Sequence, residues 1–314
     1  MSYYWKDYDY TDVVPVPQDD GPDPLCAIIY NDDYKETSGL LRALMKSGEA
    51  SDRALAITSA VIALNPAHYT VWAYRIDILP KTSQTVEGEL AWLESVAEAH
   101  PKNYQILQYR SNLLTRMVEG TPNINAECIF VERMLLADSK NYHVWSYRQW
   151  LVQQYGLQAP PAIDVELAFV HRMLEDDIRN NSAWNHRFFV LFGIPADPAT
   201  DEMIARAESE ITYAKAAIDL APDNASPWNY LSAVLKKTNT SLDVVEDFCL
   251  KFANIFDTED TTVEPLIMSR HALALLGDLY AKKQSSKGKT AYQALANKYD
   301  PIRANYWSYM AESS

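Results

Sequence analysis

Glycine and cysteine are both scarce in this sequence of 314 residues, and each scarcity restricts the classes of fold that the chain can adopt. With only 9 glycines, the chain has few positions suited to the tight turns of sheet proteins. Its many Leu, Ala and Glu residues favour helix instead. The three cysteines, Cys26, Cys128 and Cys249, are odd in number and far apart. They indicate neither a disulfide framework nor a zinc site, and we expect no metal in this chain.

Basic residues are fewer than acidic ones, and long apolar runs are missing. The formal charge of −14 and the pI near 4.9 argue against nucleic acid as the main ligand, because phosphate binding needs a basic surface. No run of about eighteen apolar residues could form a membrane span. The acidic, aromatic N-terminus is unlike a signal peptide, and the C-terminus carries no lipidation cysteine. We therefore expect a soluble cytoplasmic protein without a membrane span.

A five-fold repeat dominates the middle of the chain. Most copies end in a tryptophan followed three residues later by an arginine, as in NPAHYTVWAYR, where these are Trp72 and Arg75; Leu107 replaces the tryptophan in the second copy and Leu231 the arginine in the fifth. The aromatic positions are 35 to 44 residues apart and are occupied by Trp72, Leu107, Trp145, Trp184 and Trp228. This spacing is typical of stacked helical hairpins. We expect the tryptophans to pack between repeats and the arginines to pair with carboxylates or loop carbonyls.

Helix boundaries can be placed within each repeat. An amphipathic first helix ends in a short segment that often contains proline. An asparagine that can cap the second helix follows in four copies, at Asn103, Asn141, Asn180 and Asn224. The predicted organisation is an extended arm over residues 1–25 and a single helical-repeat domain over 26–314, with repeats around 50–235. Helix is expected to start near Ala27–Tyr30, and Gln284–Lys289 to form an exposed loop.

A polar column in the loops is not explained by packing. Three consecutive repeats place a cation before the asparagine, at Lys102, Lys140 and Arg179, and a tyrosine follows in two of them, at Tyr104 and Tyr142. Cations and hydroxyl donors beside the start of a capped helix suit a phosphate or diphosphate. The alternative is that these lysines are solvated residues that complement the dipole of the preceding helix. The spacing leaves both interpretations open.

Several segments resemble the alpha subunits of protein prenyltransferases, in particular the subunit shared by farnesyltransferase and type I geranylgeranyltransferase. The similar segments are VPVPQDDGPDPLCAIIY at 14–30, PKNYQ at 101–105, KNYHVWSYRQW at 140–150, RNNSAWN at 179–185 and DPIRANYWSY at 300–309. The resemblance implies an all-α fold, a right-handed superhelix of helical hairpins with the shape of a crescent. It also implies a heterodimer with a beta subunit that holds zinc, with magnesium required for farnesyl transfer. The implied substrates are farnesyl or geranylgeranyl diphosphate and proteins that end in a CaaX motif, such as Ras-like GTPases.

The same resemblance implies roles for residues in the loops. Lys102 and Tyr142 match family residues beside the isoprenoid diphosphate, and we expect them to act in catalysis. Gln105 matches a residue that binds the C-terminal carboxylate of the CaaX peptide. Tyr69 and Ala67 match positions near the last residue of that peptide. The adjoining substrate-binding candidates are Tyr104, Asn141 and His143.

Two alternatives remain beside this interpretation. One is the alpha subunit of the Rab-type geranylgeranyltransferase, which shares the repeats but is not expected to share the PVPQDDGPDP segment. The other is a non-catalytic helical scaffold that binds peptides. Leu107 departs from the family pattern, which has tryptophan there, and this raises a question about packing beside Lys102. The sequence does not choose between farnesyl and geranylgeranyl transfer.

Overall fold

The computed structural model of the chain describes residues 4–117, 120, 122–195, 197–256 and 267–313. These ranges contain helices and loops and, in place of a sheet, one isolated bridge between Ala253 and Ile267. The prediction of an all-α repeat protein is confirmed. The chain divides into two compact units, Met1–Tyr155 and Gly156–Ser314.

The first unit begins with a short 3₁₀ turn at Trp5–Asp7, and its remaining helices pack as consecutive hairpins. α1 precedes the hairpins, which are formed by α2 with α3, α4 with α5, and α6 with α7. The bounds are α1 Asp32–Ser47, α2 Asp52–Leu64, α3 Tyr69–Ile78, α4 Val86–Ala99, α5 Tyr104–Arg116, α6 Ile124–Ala137 and α7 Tyr142–Gln154.

The second unit continues the hairpin pattern and ends in a small group of helices around α13. Its hairpins are α8 with α9 and α10 with α11, and α14 packs against both α13 and α15. The bounds are α8 Ala162–Asp176, α9 Asn181–Phe192, α10 Asp201–Leu220, α11 Ala225–Lys237, α12 Glu246–Leu250, α13 Arg270–Lys282, α14 Ser286–Ala294 and α15 Ala304–Ser313.

Asparagine begins the second helix in four repeats, as predicted. The side-chain oxygens of Asn103, Asn141, Asn180 and Asn224 accept first-turn N–H groups of α5, α7, α9 and α11. These bonds satisfy donors that have no partner within the helix. His68 occupies the equivalent place before α3 without a side-chain cap bond.

The repeat tryptophans fasten each loop to the helix that follows it. Each indole is buried, and its N–H donates to the carbonyl six residues earlier, at 2.7–2.9 Å. The donor and acceptor pairs are Trp72 with Pro66, Trp145 with Ser139, Trp184 with Ile178, and Trp228 with Pro222. Leu107 is also buried, but it has no group to donate.

Buried ion pairs join successive repeats. Arg75 Nε and Nη2 donate to the two Glu89 oxygens at 2.6 and 2.8 Å, and Tyr109 donates to Glu89 Oε1 at 2.8 Å. The same trio recurs as Arg110, Glu127 and Tyr147, and as Arg187, Glu210 and Tyr230. The expected pairing of repeat arginines with carboxylates is thus confirmed at these three junctions.

The N-terminal segment lies against α1 and α2. Val16 N–H donates to the Gly39 carbonyl at 3.0 Å, and Arg42 Nε donates to the Val16 carbonyl at 2.8 Å. Arg53 holds both carboxylate oxygens of Asp12, at 2.6 and 2.9 Å. The segment is therefore fixed by backbone bonds and charge instead of by a helix of its own.

Two local expectations are wrong. Residues Ala27–Tyr30 are not helical, because α1 begins only after Asn31, whose side chain caps it, and Ile29 is 95% exposed with no face to bury. Gln284–Lys289 is not a loop throughout, because α14 begins at Ser286. Gly288 lies in that helix and allows its backbone to approach the Ala281 backbone closely.

Candidate functional site

Two grooves in the first unit contain most of the predicted site residues. The first has a volume of about 490 Å³ and lies beside the start of α5. It is lined by Pro66, Ala67, His100, Pro101, Lys102, Asn103, Tyr104 and Gln105. The loops before α3 and α5 thus bring Ala67 and Lys102 to one groove, although they are far apart in sequence.

The second groove, with a volume of about 430 Å³, lies between α5 and α7. It is lined by Tyr104, Leu107, Gln108, Ser111, Tyr142, His143, Ser146, Tyr147 and Trp150. Tyr104 lines both grooves, so they adjoin at its side chain. One surface of the first unit therefore presents both expected catalytic residues, Lys102 in one groove and Tyr142 in the other.

Lys102 is the positive charge of the first groove. Its side chain is exposed and makes no ion pair in the part of the chain that the structure describes. It immediately precedes Asn103, which caps α5, so its charge lies beside the positive end of a helix of 13 residues. An unpaired cation beside the N-terminus of a helix can bind an anion.

Three aromatic rings surround the junction of the grooves. Tyr104 and Tyr142 are 60% and 77% exposed, so their hydroxyl groups are available to a ligand. The half-buried His143 ring lies between them, with centroids 6.0 Å from Tyr104 and 5.5 Å from Tyr142. Beneath them, burial and the Glu127 charge raise the pKa of Tyr147 well above its usual range, so its hydroxyl stays protonated and donates to Glu127.

Gln105 is the buried polar group of the first groove. It is 9% exposed, and within the described part of the chain its Oε1 has no hydrogen-bond partner, although a buried acceptor normally has one. Its Nε2 has only a long contact of 3.5 Å with the Tyr104 hydroxyl. Rotating the amide by half a turn would let Tyr104 donate to the oxygen and would present the NH₂ group to an acidic ligand.

Asn141 lies at the site without facing a ligand. It is 4% exposed, its oxygen accepts the His143 and Val144 N–H groups, and its Nδ2 donates to the Pro101 carbonyl at 2.7 Å. The bonding capacity of its side chain is directed at the protein. Its direct contact with substrate remains a prediction.

Tyr69 is placed apart from the two grooves. It is the first residue of α3, 75% exposed, and it is not among the residues that line either groove. Its neighbour Ala67 does line the first groove, and the Ala67 N–H donates to Asn65 Oδ1 at 3.2 Å. The roles predicted for these residues stay predictions.

Four residues that line the second groove were not predicted from the sequence. Gln108 and Ser111 follow Tyr104 on α5, and Ser146 and Trp150 follow Tyr142 on α7. The signal was present, because residues three, four, seven or eight positions after an exposed tyrosine lie on the same helix face. The polar residues among them read as ordinary surface positions until the facing helix is known.

Among the described residues, no group of three or more His, Cys, Asp or Glu side chains could hold a metal ion. In the same part of the chain, no helix is long and apolar enough to cross a membrane.

Comparisons with known proteins agree with the repeats. The family model "Protein prenyltransferase alpha subunit repeat" matches residues 51–82, 86–117, 124–155, 163–194 and 207–238. The protein farnesyltransferase/geranylgeranyltransferase type-1 subunit alpha of Candida albicans is 39% identical over 307 residues, 96% of each chain. The same subunit of Schizosaccharomyces pombe is 39% identical over 308 residues, 98% of this chain and 94% of that one.

A solved structure and a second class of relatives complete the comparison. "Candida albicans protein geranylgeranyltransferase-I complexed with GGPP" matches with a TM-score of 0.87 and 38% identity, over 97% of this chain and 98% of that one. The geranylgeranyl transferase type-2 subunit alpha of Rattus norvegicus is 30% identical over only 130 residues, 38% of this chain and 23% of its own. The resemblance found in the sequence is therefore confirmed, and the chain belongs to the protein prenyltransferase alpha-subunit family.

Proposed function

We propose that this chain, as a prenyltransferase alpha subunit, acts with a beta subunit to transfer a farnesyl or geranylgeranyl group from its diphosphate to the cysteine of a C-terminal CaaX motif. The observation that carries the proposal is the similarity, over nearly the whole length of both chains, to alpha subunits named for both protein farnesyltransferase and geranylgeranyltransferase type-1. The two adjoining grooves support it, because they combine an unpaired cation with phenol and amide groups.

A partner subunit is part of the proposal because the site is open and incomplete. The grooves offer one unpaired lysine for a diphosphate, which carries several negative charges. Apolar side chains outside the grooves are also uncovered: Leu25, Ile28 and Ile29 are at least 63% exposed. A beta subunit that supplies further cations and covers apolar surface would account for both features.

Lys102 and Tyr142 are the catalytic residues of the proposed reaction. The cysteine thiolate forms a bond to the first carbon of the isoprenoid as the bond from that carbon to the diphosphate oxygen breaks. Negative charge then builds on the departing diphosphate. The Lys102 ammonium would stabilise that charge, and the Tyr142 hydroxyl would donate a hydrogen bond to it.

The peptide end of the substrate would lie in the first groove. Once its amide has rotated by half a turn, Gln105 would offer its NH₂ group to the C-terminal carboxylate while Tyr104 donates to the amide oxygen. Ala67 lines the same groove and would adjoin the last residue of the motif, with Tyr69 nearby in sequence. His143 completes the set of residues proposed to contact substrate, and Asn141, predicted with them, is bonded to the protein through both ends of its amide. Substrates of this kind include Ras-like GTPases.

Metals belong to the partner in this proposal. Zinc, held by the beta subunit, would lower the pKa of the substrate thiol, and magnesium would accompany the diphosphate in farnesyl transfer. The described part of this chain offers no ligand set for either ion. We place the enzyme in the cytoplasm, where its protein substrates are made.

The alternative functions are weaker. The rat type-2 alpha subunit aligns with only 38% of this chain, whereas the type-1 subunits align with 96% or more. A scaffold without catalytic function would not need an unpaired lysine beside a buried, unsatisfied glutamine. The type-1 assignment therefore accounts for more of the molecule.

Co-expression with beta subunits of CaaX-type enzymes, followed by zinc-dependent transfer of labelled isoprenoid to a CaaX peptide, tests the proposal. We expect a stable complex with activity, and Lys102→Ala should reduce kcat by about 10²-fold or more. Lys237→Ala, at an exposed lysine in the last turn of α11, is the control and should leave the rate unchanged. A complex that modifies only Rab substrates, or a chain that binds no beta subunit, would refute the assignment.

A further inference from the structure

One side-chain amide connects the two loops that carry the proposed catalytic residues. Asn141 Nδ2 donates to the Pro101 carbonyl at 2.7 Å, and this carbonyl belongs to the peptide group that leads directly into Lys102. The oxygen of the same amide accepts the His143 and Val144 N–H groups at 3.0 and 3.3 Å, in the first turn that begins with Tyr142. Asn141 is 4% exposed, so water does not compete for these bonds.

A second example of this connection lies between the last two repeats. Asn224 Nδ2 donates to the Ile178 carbonyl at 3.0 Å. There, however, the carbonyl also accepts the Trp184 indole N–H at 2.9 Å. The loop before α9 thus has two side-chain donors on one carbonyl, and loss of Asn224 leaves the tryptophan in place.

The Lys102 loop lacks the second donor, because position 107 is a leucine where the other repeats have a tryptophan. By the six-residue rule of the other repeats, position 107 should donate to Pro101, but leucine has no donor. Within the described residues, Asn141 is the side chain that bonds the Pro101 carbonyl. Among the described residues, the Pro101 carbonyl therefore has one side-chain donor, Asn141, because Leu107 supplies none.

We propose that Asn141 is a positioning residue for the transfer reaction, which holds Lys102 relative to Tyr142, and that Leu107 makes the chain depend on it. This inference rests on the proposed function. A donor to the Pro101 carbonyl fixes the peptide plane before Lys102, and a displacement of about 1 Å at a catalytic group can reduce a rate by about 10²-fold. The role differs from direct substrate contact, because both ends of the amide are bound to protein.

Asn141→Asp and Asn141→Ser separate the two functions of the side chain. Aspartate and serine both retain an oxygen that can cap α7, but neither provides the amide donor for Pro101. Aspartate additionally places negative charge against the carbonyl. Asn224→Asp and Asn224→Ser are the matched controls, because they remove the equivalent bond where Trp184 remains.

The experiment measures steady-state transfer by the heterodimer with each variant. Asn141→Asp and Asn141→Ser should lower kcat by about 10- to 100-fold with little change in KM for the CaaX peptide. The Asn224 variants should stay within roughly twofold of the parent, with similar decreases in thermal midpoint for equivalent substitutions. Equal rates for the Asn141 and Asn224 variants would overturn the proposal.

A second substitution tests the part played by Leu107. Leu107→Trp restores the indole donor of the other repeats, and the groove of about 430 Å³ that Leu107 lines leaves room beside it. Combined with Asn141→Ser, it should recover at least about fivefold of the lost kcat, by returning a donor to Pro101. No recovery, when Leu107→Trp alone is active, would contradict the proposed link.

The Lys102→Ala variant distinguishes failure of this inference from failure of the proposed function. If Lys102→Ala is inactive but the Asn141 variants are not, Asn141 has no positioning role and the function stands. If Lys102→Ala is fully active, the proposed catalytic role fails, and the positioning role fails with it.

Discussion

The buried pair of Arg75 and Glu89 predicts a large and strongly non-additive effect on stability. Both side chains are 0% exposed, and Arg75 Nη1 also donates to the Leu55 carbonyl and to the hydroxyls of Thr58 and Ser59. The guanidinium lies 3.8 Å from the Trp92 ring centroid. Changing either charged partner therefore leaves the other charge in a site without water.

The magnitude follows from which charge is left behind. Glu89→Gln keeps the shape but turns an NH₂ group toward the Arg75 donors, and Arg75→Met removes the cation that faces the carboxylate and keeps the neutral Tyr109 donor. Removing one member of a buried pair costs about 3–5 kcal/mol. The double variant contains no uncompensated charge, so it should cost no more than either single change, a coupling of about 3 kcal/mol.

Urea unfolding followed by circular dichroism measures these free energies. The control is the exposed pair of Arg116 and Asp77, whose N–O distance is 3.1 Å and whose side chains are 52% and 65% exposed. Asp77→Asn should cost less than about 1 kcal/mol because solvent screens the pair. If Glu89→Gln costs as little as Asp77→Asn, or if the single changes add, the argument from burial is refuted.

The remaining predictions concern Cys249 and Gly288, both in the second unit. Burial raises the pKa of Cys249 to about 12, so at pH 8 a maleimide should label the exposed Cys26 and leave Cys249 unmodified until the protein unfolds. The native thiol keeps its proton, whereas the thiol of the unfolded chain loses it near pH 9.0. The contribution of Cys249 to the free energy of unfolding therefore falls as the pH rises from 9.0 toward about 12. Unfolding measured at several pH values in this range checks this. Gly288→Ala should lower stability by about 1–3 kcal/mol in urea unfolding, because a Cβ would lie 2.7 Å from the Ala281 nitrogen; a variant as stable as the parent would contradict this close packing.

The fold was predictable from sequence where short-range chemistry determines it. Asparagine before a helix is a local signal, and all four predicted caps are present. The failures occurred where tertiary contacts decide. Ile28 and Ile29 favour helix by pattern only if a neighbour covers them, and both are exposed. Gly288 lies within a helix because it packs against α13, which no local pattern indicates.

The candidate site was predictable in its residues but not in its connections. Lys102, Tyr104 and Gln105 lie in one short segment, so a resemblance could identify them together. The joining of that segment to α7 depends on a bond between residues 101 and 141, forty positions apart. The unsatisfied oxygen of Gln105 likewise becomes visible only when burial is known.

The repeat places framework and chemistry at adjacent positions, and this explains how one surface can serve both. Asn141 is buried and bonded on both sides, whereas Tyr142, the next residue, is 77% exposed. Because the cap fixes the first turn of the helix, the exposed side chain that follows the cap starts from a defined backbone position. Tyr104 stands in the same relation to Asn103. A change at the cap should therefore alter activity through an exposed neighbour, whereas a change at the buried pair of Arg75 and Glu89 should alter stability.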